Sequence, residues 1–204
     1  MGHVPPVETD APSSPPGNAR GAPADAIAAL PAGGIWVFGY GSLMWNPGFP
    51  HGQARTAHIH GYHRALCVWS WVHRGTRARP GLVLGLDRGG SCVGIAHRVA
   101  AADRDAAVEY LYARELVTHV YVPVVRPIRI EGVGTAAALS FVVDRGHDQY
   151  AGKLSAVEAA RTIRGARGQS GANPEYFANT MAHLEELGIV CPRLMEIERA
   201  LARA

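Results

Sequence analysis

The segment Gly39-Tyr40-Gly41-Ser42-Leu43 places two glycines around a tyrosine, directly after the short apolar run 35–38. Glycine lets a ligand approach the main chain closely, and consecutive backbone N–H groups in such a turn form a concavity that suits a carboxylate. Ser42 adds a hydroxyl group. The segment lacks the G-x-x-x-x-G-K-[ST] and G-x-G-x-x-G patterns of nucleotide-binding loops. It indicates either a small-molecule carboxylate site or an ordinary turn after a strand.

Glu115 is the candidate for proton transfer. In the segment 103–116, Val108, Leu111 and Glu115 are three and four residues apart, so a helix places them on one apolar face. Burial and the negative end of the helix dipole both favour the neutral form of a carboxyl group. A carboxyl group poised nearer neutrality can act as a general acid and base. The alternative is a surface glutamate at a fraying helix end, neutralised by Arg114.

Other residues with reactive side chains form weaker patterns. His58, His60 and His63 lie close together, but no acidic or cysteine residue accompanies them at metal-ligand spacing. We therefore expect solvated strand residues here and no metal site. Cys67 lies in an apolar segment that is typical of the core, and the chain has no G-x-S-x-G motif. The glycine-rich segment 165–173 indicates a long helix cap, with anion binding at the helix start as the alternative.

The elements that must position these residues follow from apolar patterning. Segments rich in Val, Ile and aromatic residues predict strands at 35–38, 58–71, 81–86, 92–99, 119–130 and 135–143. Pro123 and Pro127 limit their strand to an edge or a bulge. Helices are predicted at 103–116, 155–164 and 174–187 and after Pro192, with Asn173 as a cap of the third. Strands followed by helices indicate an α+β fold.

The composition describes one packed domain. The chain has 204 residues, 48% hydrophobic and 18% charged, with a net charge of +3. This charge is too small and too dispersed to indicate nucleic acid. Three widely spaced cysteines indicate a reducing cytoplasm, and we expect no membrane span and no leader peptide. Residues 1–30 contain six of the 14 prolines and predict a flexible tail before a domain at 31–204.

These residues resemble the ChaC family of γ-glutamylcyclotransferases, the branch specific for glutathione. The similarity covers roughly residues 35–190, in the family's order. Its most specific part is the F-G-Y-G-S-L-x-W string, strengthened by the pair Arg114-Glu115 after Tyr110-Leu111. Segment 116–121 departs from the family, in which a glycine often precedes the tyrosine. The other matching stretches are Trp36-Val37, Pro47, Gly61-Tyr62, Arg64, His73–Thr76, Pro80-Gly81, Tyr150, Gly168, Ser170-Gly171, Asn173 and Glu175-Tyr176.

The resemblance implies a small mixed β-barrel with flanking helices, and a lyase that converts glutathione to 5-oxoproline and Cys-Gly without a cofactor. It implies that Glu115 is the catalytic acid and base. It further implies that Gly39, Tyr40, Gly41, Ser42 and Leu43 hold the γ-glutamyl group and that Tyr150 lines its pocket. The alternatives are a cyclotransferase for other γ-glutamyl amino acids or amines, and a non-catalytic γ-glutamyl-binding module.

Overall fold

The computed structural model describes residues 28, 30–31 and 33–203. The predicted tail, residues 1–30, lies outside the described residues except for Ala28 and Leu30. Leu30 is buried and belongs to the same apolar cluster as Ile35 and Val37. At least one residue of the predicted tail, Leu30, therefore packs against the domain. The boundary at residue 31 stays a prediction.

Five strands form a closed barrel in the order β1-β3-β2-β4-β5. β1 runs parallel to β5, and every other neighbouring pair is antiparallel. The barrel with its helices confirms the predicted α+β class and mixed barrel. The strands are β1 (Ile35–Gly39), β2 (Gln53–Ser70), β3 (Gly81–Val99), β4 (Tyr121–Ile130) and β5 (Gly134–Val143).

β2 and β3 pair along almost their whole length. The prediction of two separate strands, at 81–86 and 92–99, was wrong, because Gly89 and Gly90 interrupt the apolar pattern without ending the strand. Both glycines have positive φ, 98° and 72°, which is accessible to glycine at little cost. The pairing shifts register opposite them, between His60 and Tyr62, and the ladder then continues.

β4 carries the two prolines that predicted an edge position. It pairs with β5 from end to end, but with β2 only through residues 128–130. Pro123 and Pro127 lie in the part that has a single strand neighbour. Since proline has no N–H to donate, this placement costs the barrel no ladder hydrogen bond on that side, and the prediction is confirmed.

The four predicted helical segments are helices. They are α1 (Arg104–Glu115), α2 (Ala156–Gly165), α3 (Asn173–Glu186) and α4 (Pro192–Ala202). α2 begins with a capping box, in which Ser155 and Glu158 each accept from the other's backbone N–H. None of the helices in the described part combines the length and apolar character that a membrane crossing requires.

Asn173 does not cap α3, as the sequence had suggested; the N-cap residue is Ala172. The Asn173 side chain is fully buried and forms two hydrogen bonds with the backbone of Leu82. Its Oδ1 accepts from Leu82 N at 2.7 Å, and its Nδ2 donates to Leu82 O at 2.8 Å. The Asn173 amide thus satisfies the backbone N–H and carbonyl of Leu82, on the edge of β3 that pairs with no strand among the described residues.

The glycine-rich segment before α3 forms a tight hairpin rather than a long cap. Its two short strands are β6 (Arg167–Gly168) and β7 (Gly171–Ala172). The backbone N–H groups of Gln169 and Ser170 donate to Val72 O and His73 O. These N–H groups are therefore already occupied by protein acceptors, which removes the basis for anion binding there.

Candidate active site

A small cavity of about 80 Å³ brings the glycine loop and Glu115 together. The loop contributes residues 40–43, and Glu115 lies at the end of α1. The remaining lining residues come from three strands and one helix: Leu84, Tyr121, Phe141 and Tyr176. The space admits a compact group rather than a whole peptide, so a larger ligand would extend from it into solvent.

A buried arginine on β2, Arg64, fixes the loop. β1 is buried at all five positions and carries the chain into the barrel wall before the loop begins. Arg64 is 4% exposed; its Nε donates to Tyr40 O at 2.5 Å and its Nη2 to Val93 O at 2.7 Å. Hydrogen bonds from a charged donor are stronger than neutral ones. Arg64 therefore holds the main chain at Tyr40 against β3.

His97 and Gly39 fix the other end of the loop. Residues Ser42–Met44 form a 3₁₀ turn, and the buried His97 bonds through Nε2 to Leu43 O at 2.9 Å. Because a carbonyl oxygen only accepts, this Nε2 carries the proton. A Cβ at Gly39 would lie 2.9 Å from the Leu43 Cβ, so Gly39 supports the turn without lining the cavity.

Glu115 is the last residue of α1, whose Ala107, Val108 and Leu111 are buried in the same cluster as Val37. This agrees with the apolar face predicted from the spacing. The Glu115 side chain is 16% exposed. Burial raises the pKa of its carboxyl group, and this effect outweighs the opposing influence of Arg114. Glu115 is therefore both paired with Arg114 and biased towards its neutral form.

Arg114 joins the two halves of the site. Its Nε lies 3.2 Å from Glu115 Oε1, and its Nη2 donates to Ser42 Oγ at 2.8 Å. Its Nη1 donates to Asn46 O at 2.7 Å, just beyond the 3₁₀ turn. One guanidinium group thus sets the distance between the loop and the carboxylate.

Three tyrosines lie near the carboxylate: Tyr40 is buried, and Tyr121 and Tyr176 are partly buried. Burial raises the pKa values of Tyr40, Tyr121 and Tyr176, and the nearby Glu115 adds to the shift of each. The phenols therefore stay protonated at neutral pH. Tyr121 donates to Leu84 O at 2.6 Å, and Tyr176 accepts from Leu84 N at 3.1 Å. Both rings are thereby fixed to β3 at the cavity wall.

Tyr150 is not among the residues that line this cavity, and its role in the γ-glutamyl pocket stays a prediction. Its hydroxyl group donates to Asp87 Oδ2 at 3.0 Å, and its backbone pairs with Val68. It lines a second cavity, which also contains Arg145. The tyrosines that line the loop cavity are Tyr40, Tyr121 and Tyr176.

The clustered histidines lie elsewhere. His58 and His60 are exposed on β2 and line an open cavity of about 710 Å³ beside the β4–β5 turn. In the part of the chain that the structure describes, no group of three or more His, Cys, Asp or Glu side chains is placed to hold a metal ion. This cavity contains neither the loop nor Glu115.

Comparison with known proteins gives the family. The sequence profile described as ChaC-like protein matches residues 35–203. The chain belongs to the ChaC family. It is 34% identical over 157 residues to the glutathione-specific gamma-glutamylcyclotransferase of Escherichia coli K12, covering 77% of this chain and 68% of that protein. It is 32% identical over 178 residues to the glutathione-specific gamma-glutamylcyclotransferase 1 of Danio rerio, covering 82% and 88%.

The fold of this ChaC chain is also found in a solved structure. The crystal structure of the gamma-glutamyl cyclotransferase specific to glutathione from yeast has a TM-score of 0.74 to it, at 22% identity. The similarity covers 83% of this chain and 98% of the yeast chain. At that identity the likeness shows the fold, and it accounts for the barrel with its flanking helices.

Sequence reasoning missed several residues of this ChaC site. Arg114 was recognised as a neighbour of Glu115, but its hydrogen bond to Ser42 was not predicted. Tyr121 and His97 gave no signal, because their positions depend on which strands become neighbours. In segment 116–121, where family members often have glycine, His119 has a φ of 57°, a conformation that favours glycine. The turn that leads to Tyr121 is thus kept without a glycine.

Proposed function

We propose that this chain cleaves glutathione into 5-oxoproline and Cys-Gly. The observation that carries the proposal is the shared cavity, which is lined both by a carboxyl group with a raised pKa and by the loop residues 40–43. The names of its relatives support the same substrate. The reaction needs these two components, one to hold a γ-glutamyl group and one to move protons.

The reaction is intramolecular. The α-amine of the γ-glutamyl group attacks its own γ-carbonyl carbon, a new C–N bond closes a five-membered ring, and the amide bond to cysteine breaks. Attacking and leaving nitrogens belong to one molecule, so the protein needs no nucleophile of its own. Well-oriented intramolecular reactions reach effective molarities of about 10⁵ M or more, so positioning alone contributes several kcal/mol.

Glu115 carries the proton between the two nitrogens. As a carboxylate it takes a proton from the α-ammonium group, and as an acid it gives that proton to the departing cysteine nitrogen. A raised pKa brings the two forms closer in free energy at neutral pH, which is the condition for efficient general acid and base catalysis. Arg114 keeps the group from becoming permanently protonated.

The loop holds the anionic part of the substrate. Among the described residues, no acceptor is found for the backbone N–H groups of Gly41, Ser42 and Leu43. Such groups can bind the α-carboxylate or stabilise the oxyanion that develops on the γ-carbonyl. A cytoplasmic location for the enzyme is part of the proposal, and the three free cysteines are compatible with it.

The test is the purified protein with glutathione, scored by chromatography for 5-oxoproline and Cys-Gly in equal amounts. Parallel reactions contain γ-glutamyl-alanine and γ-glutamyl-lysine, and all are repeated with a chelator. We expect turnover of glutathione, weak turnover of the other two, and no effect of the chelator. Faster turnover of another γ-glutamyl compound would contradict the assignment of glutathione as the substrate. Binding of these compounds without product formation would indicate a non-catalytic binding module.

A further inference from the structure

A second cavity lies farther along β3, and its volume is about 400 Å³. We propose that it binds a small organic anion with two or more negative charges on an apolar body, such as a nucleoside diphosphate. It is enclosed by β2, β3, the segment 145–154, α2 and α4. It shares no lining residue with the loop cavity.

Positive charge converges on this cavity from four separate segments. Arg88 lies on β3, Arg145 follows β5, Lys153 precedes α2, and Arg193 is in the first turn of α4. Asp87 is the one carboxylate among the residues that line it. Four cations against one anion leave a surplus of three positive charges in a concave space, where such charges reinforce one another's attraction for an anion.

Asp87, the single carboxylate, already accepts hydrogen bonds at both of its oxygens. Asp87 Oδ1 accepts from Arg145 Nε at 2.6 Å and from the backbone N–H of Arg88 at 2.8 Å, and its Oδ2 accepts from Tyr150. Within the described residues, the side chains of Arg88, Lys153 and Arg193 form no ion pair. Three cations are therefore available to a ligand.

One of these cations is held in place by a neutral partner. His63 Nδ1 lies 2.9 Å from Gly89 O and must donate to that carbonyl, which leaves Nε2 as an acceptor. Arg193 Nη1 lies 2.7 Å from this Nε2. The imidazole thus orients Arg193 at the cavity without neutralising it. A guanidinium group that is already oriented loses less entropy when it binds a phosphate through two parallel hydrogen bonds.

Part of the lining is apolar. Leu66, Leu194 and Ile197 are buried side chains that contribute to it, and the Tyr150 ring lies beneath the Arg145 guanidinium at 5.9 Å. A simple inorganic anion would contact only the cations. A ring joined to phosphates would contact both the cations and the apolar side chains. A volume of about 400 Å³ is within the usual range for small-molecule sites.

The experiment is isothermal titration of the full-length protein with ADP, inorganic pyrophosphate and adenosine. We expect saturable binding of one ADP per chain, weakened by salt, with at least tenfold weaker binding of each of the other two. In the triple variant Arg88→Gln/Lys153→Gln/Arg193→Gln, ADP should bind at least tenfold more weakly. All three side chains are exposed, and a thermal melt checks that the variant folds.

Two controls distinguish binding at this cavity from non-specific electrostatic attraction and from binding at the proposed active site. Arg199→Gln removes the same charge from α4 outside the cavity and should leave ADP affinity unchanged. Glu115→Gln should bind ADP like the wild type, with or without glutathione. Absence of saturable ADP binding, equal weakening by Arg199→Gln, or displacement of ADP by glutathione would each overturn the proposal. Stronger binding of pyrophosphate than of ADP would contradict the contribution of the apolar side chains.

Discussion

Glu115 and Asp87 are both arginine-paired carboxylates at cavity walls, and yet their pKa values shift in opposite directions. Glu115 lies 3.2 Å from Arg114 Nε, while Asp87 lies 2.6 Å from Arg145 Nε. Burial raises the pKa of Glu115 and outweighs its arginine. Burial also acts upwards on Asp87, but its hydrogen bonds together outweigh burial and lower its pKa.

The number of donors explains the difference. Asp87 receives three hydrogen bonds, from a guanidinium, a phenol and a backbone N–H group, and each favours the ionised form. Glu115 has one charged neighbour and an apolar helix face beneath it. An arginine beside a carboxylate is therefore not enough to make the carboxylate a permanent anion, and the remaining donors decide whether it can exchange a proton.

His97, which supports the loop through Leu43 O, is also biased towards its neutral form. Burial lowers its pKa to about 4, since the charged imidazolium is poorly solvated there. Its Nδ1 is buried without a partner among the described residues. Burial thus disfavours the charged form of both an acid and a base beside the loop, whereas hydrogen bonds in the second cavity stabilise the charge of Asp87.

The largest expected effect comes from removing the exchangeable proton. Glu115→Gln keeps the shape of the side chain but cannot take up or release a proton. We expect kcat with glutathione to fall by about 10²–10⁴-fold, the usual contribution of a general acid and base. Glu109→Gln, an exposed position on the same helix, is the matched control, and 5-oxoproline release is the measurement. Wild-type turnover in Glu115→Gln would remove the functional distinction between the two carboxylates.

The lowered pKa of His97 predicts a stability change with pH. The ordinary value is 6.5 and the folded value is about 4, so on acidification the unfolded chain takes up the proton first. The free energy of unfolding therefore falls as pH decreases between these values and levels off below them, by up to about 3 kcal/mol in total.

This dependence should be reduced in His97→Gln, whose side-chain amide can still donate to Leu43 O. Urea unfolding at several pH values is the measurement, and the exposed His58→Gln is the control that should behave like the wild type. If the free energy of unfolding changes with pH in the same way for the wild type and for His97→Gln, this histidine is not biased to its neutral form.

Asp87 should contribute to stability rather than to turnover. Asp87→Asn weakens the interaction with Arg145 and Tyr150, which we expect to lower the free energy of unfolding by about 1–3 kcal/mol. Because the folded state favours the ionised carboxylate, the advantage of the wild type should disappear as pH falls through the lowered pKa of Asp87. Thermal unfolding beside the exposed Asp148→Asn is the measurement. A loss of kcat without a loss of stability would reverse the roles assigned here.

The smallest effect is a displacement of the pH profile. Arg114 lowers the pKa of Glu115, so Arg114→Gln should raise it further. The acid limb of kcat/KM, which reports the carboxylate form, should then move to higher pH. Arg145→Gln, at the other carboxylate, should leave the limb in place. An unchanged limb in Arg114→Gln would mean that this arginine acts only through Ser42 and Asn46.

The sequence was sufficient where structure depends on neighbours along the chain. The helical spacing of Val108, Leu111 and Glu115 placed the carboxylate on an inward face, because that face is set by the 3.6-residue period alone. The apolar run before Gly39 likewise located the loop at the end of a strand. The resemblance supplied the barrel, which no local pattern contains.

The sequence was insufficient where strand neighbours decide the outcome. Arg64 lies on β2 and supports a loop 24 residues earlier, and His97 bonds to a carbonyl 54 residues away. The position of Tyr150 likewise depends on distant chain, because its backbone forms a bridge to Val68. Gly89 and Gly90 were interpreted as a strand break, although a register shift in the partner strand accommodates them.

Among the described residues, the first part of β3 pairs with β2 on one side and with no strand on the other. Three side chains occupy its backbone groups there: Asn173 takes both groups of Leu82, Tyr176 the N–H of Leu84, and Tyr121 its carbonyl. A bare strand edge invites pairing with another chain and hence aggregation. Two cavity tyrosines therefore also occupy a strand edge, so replacing either with phenylalanine leaves a buried backbone group of Leu84 without its partner as well as altering the loop cavity.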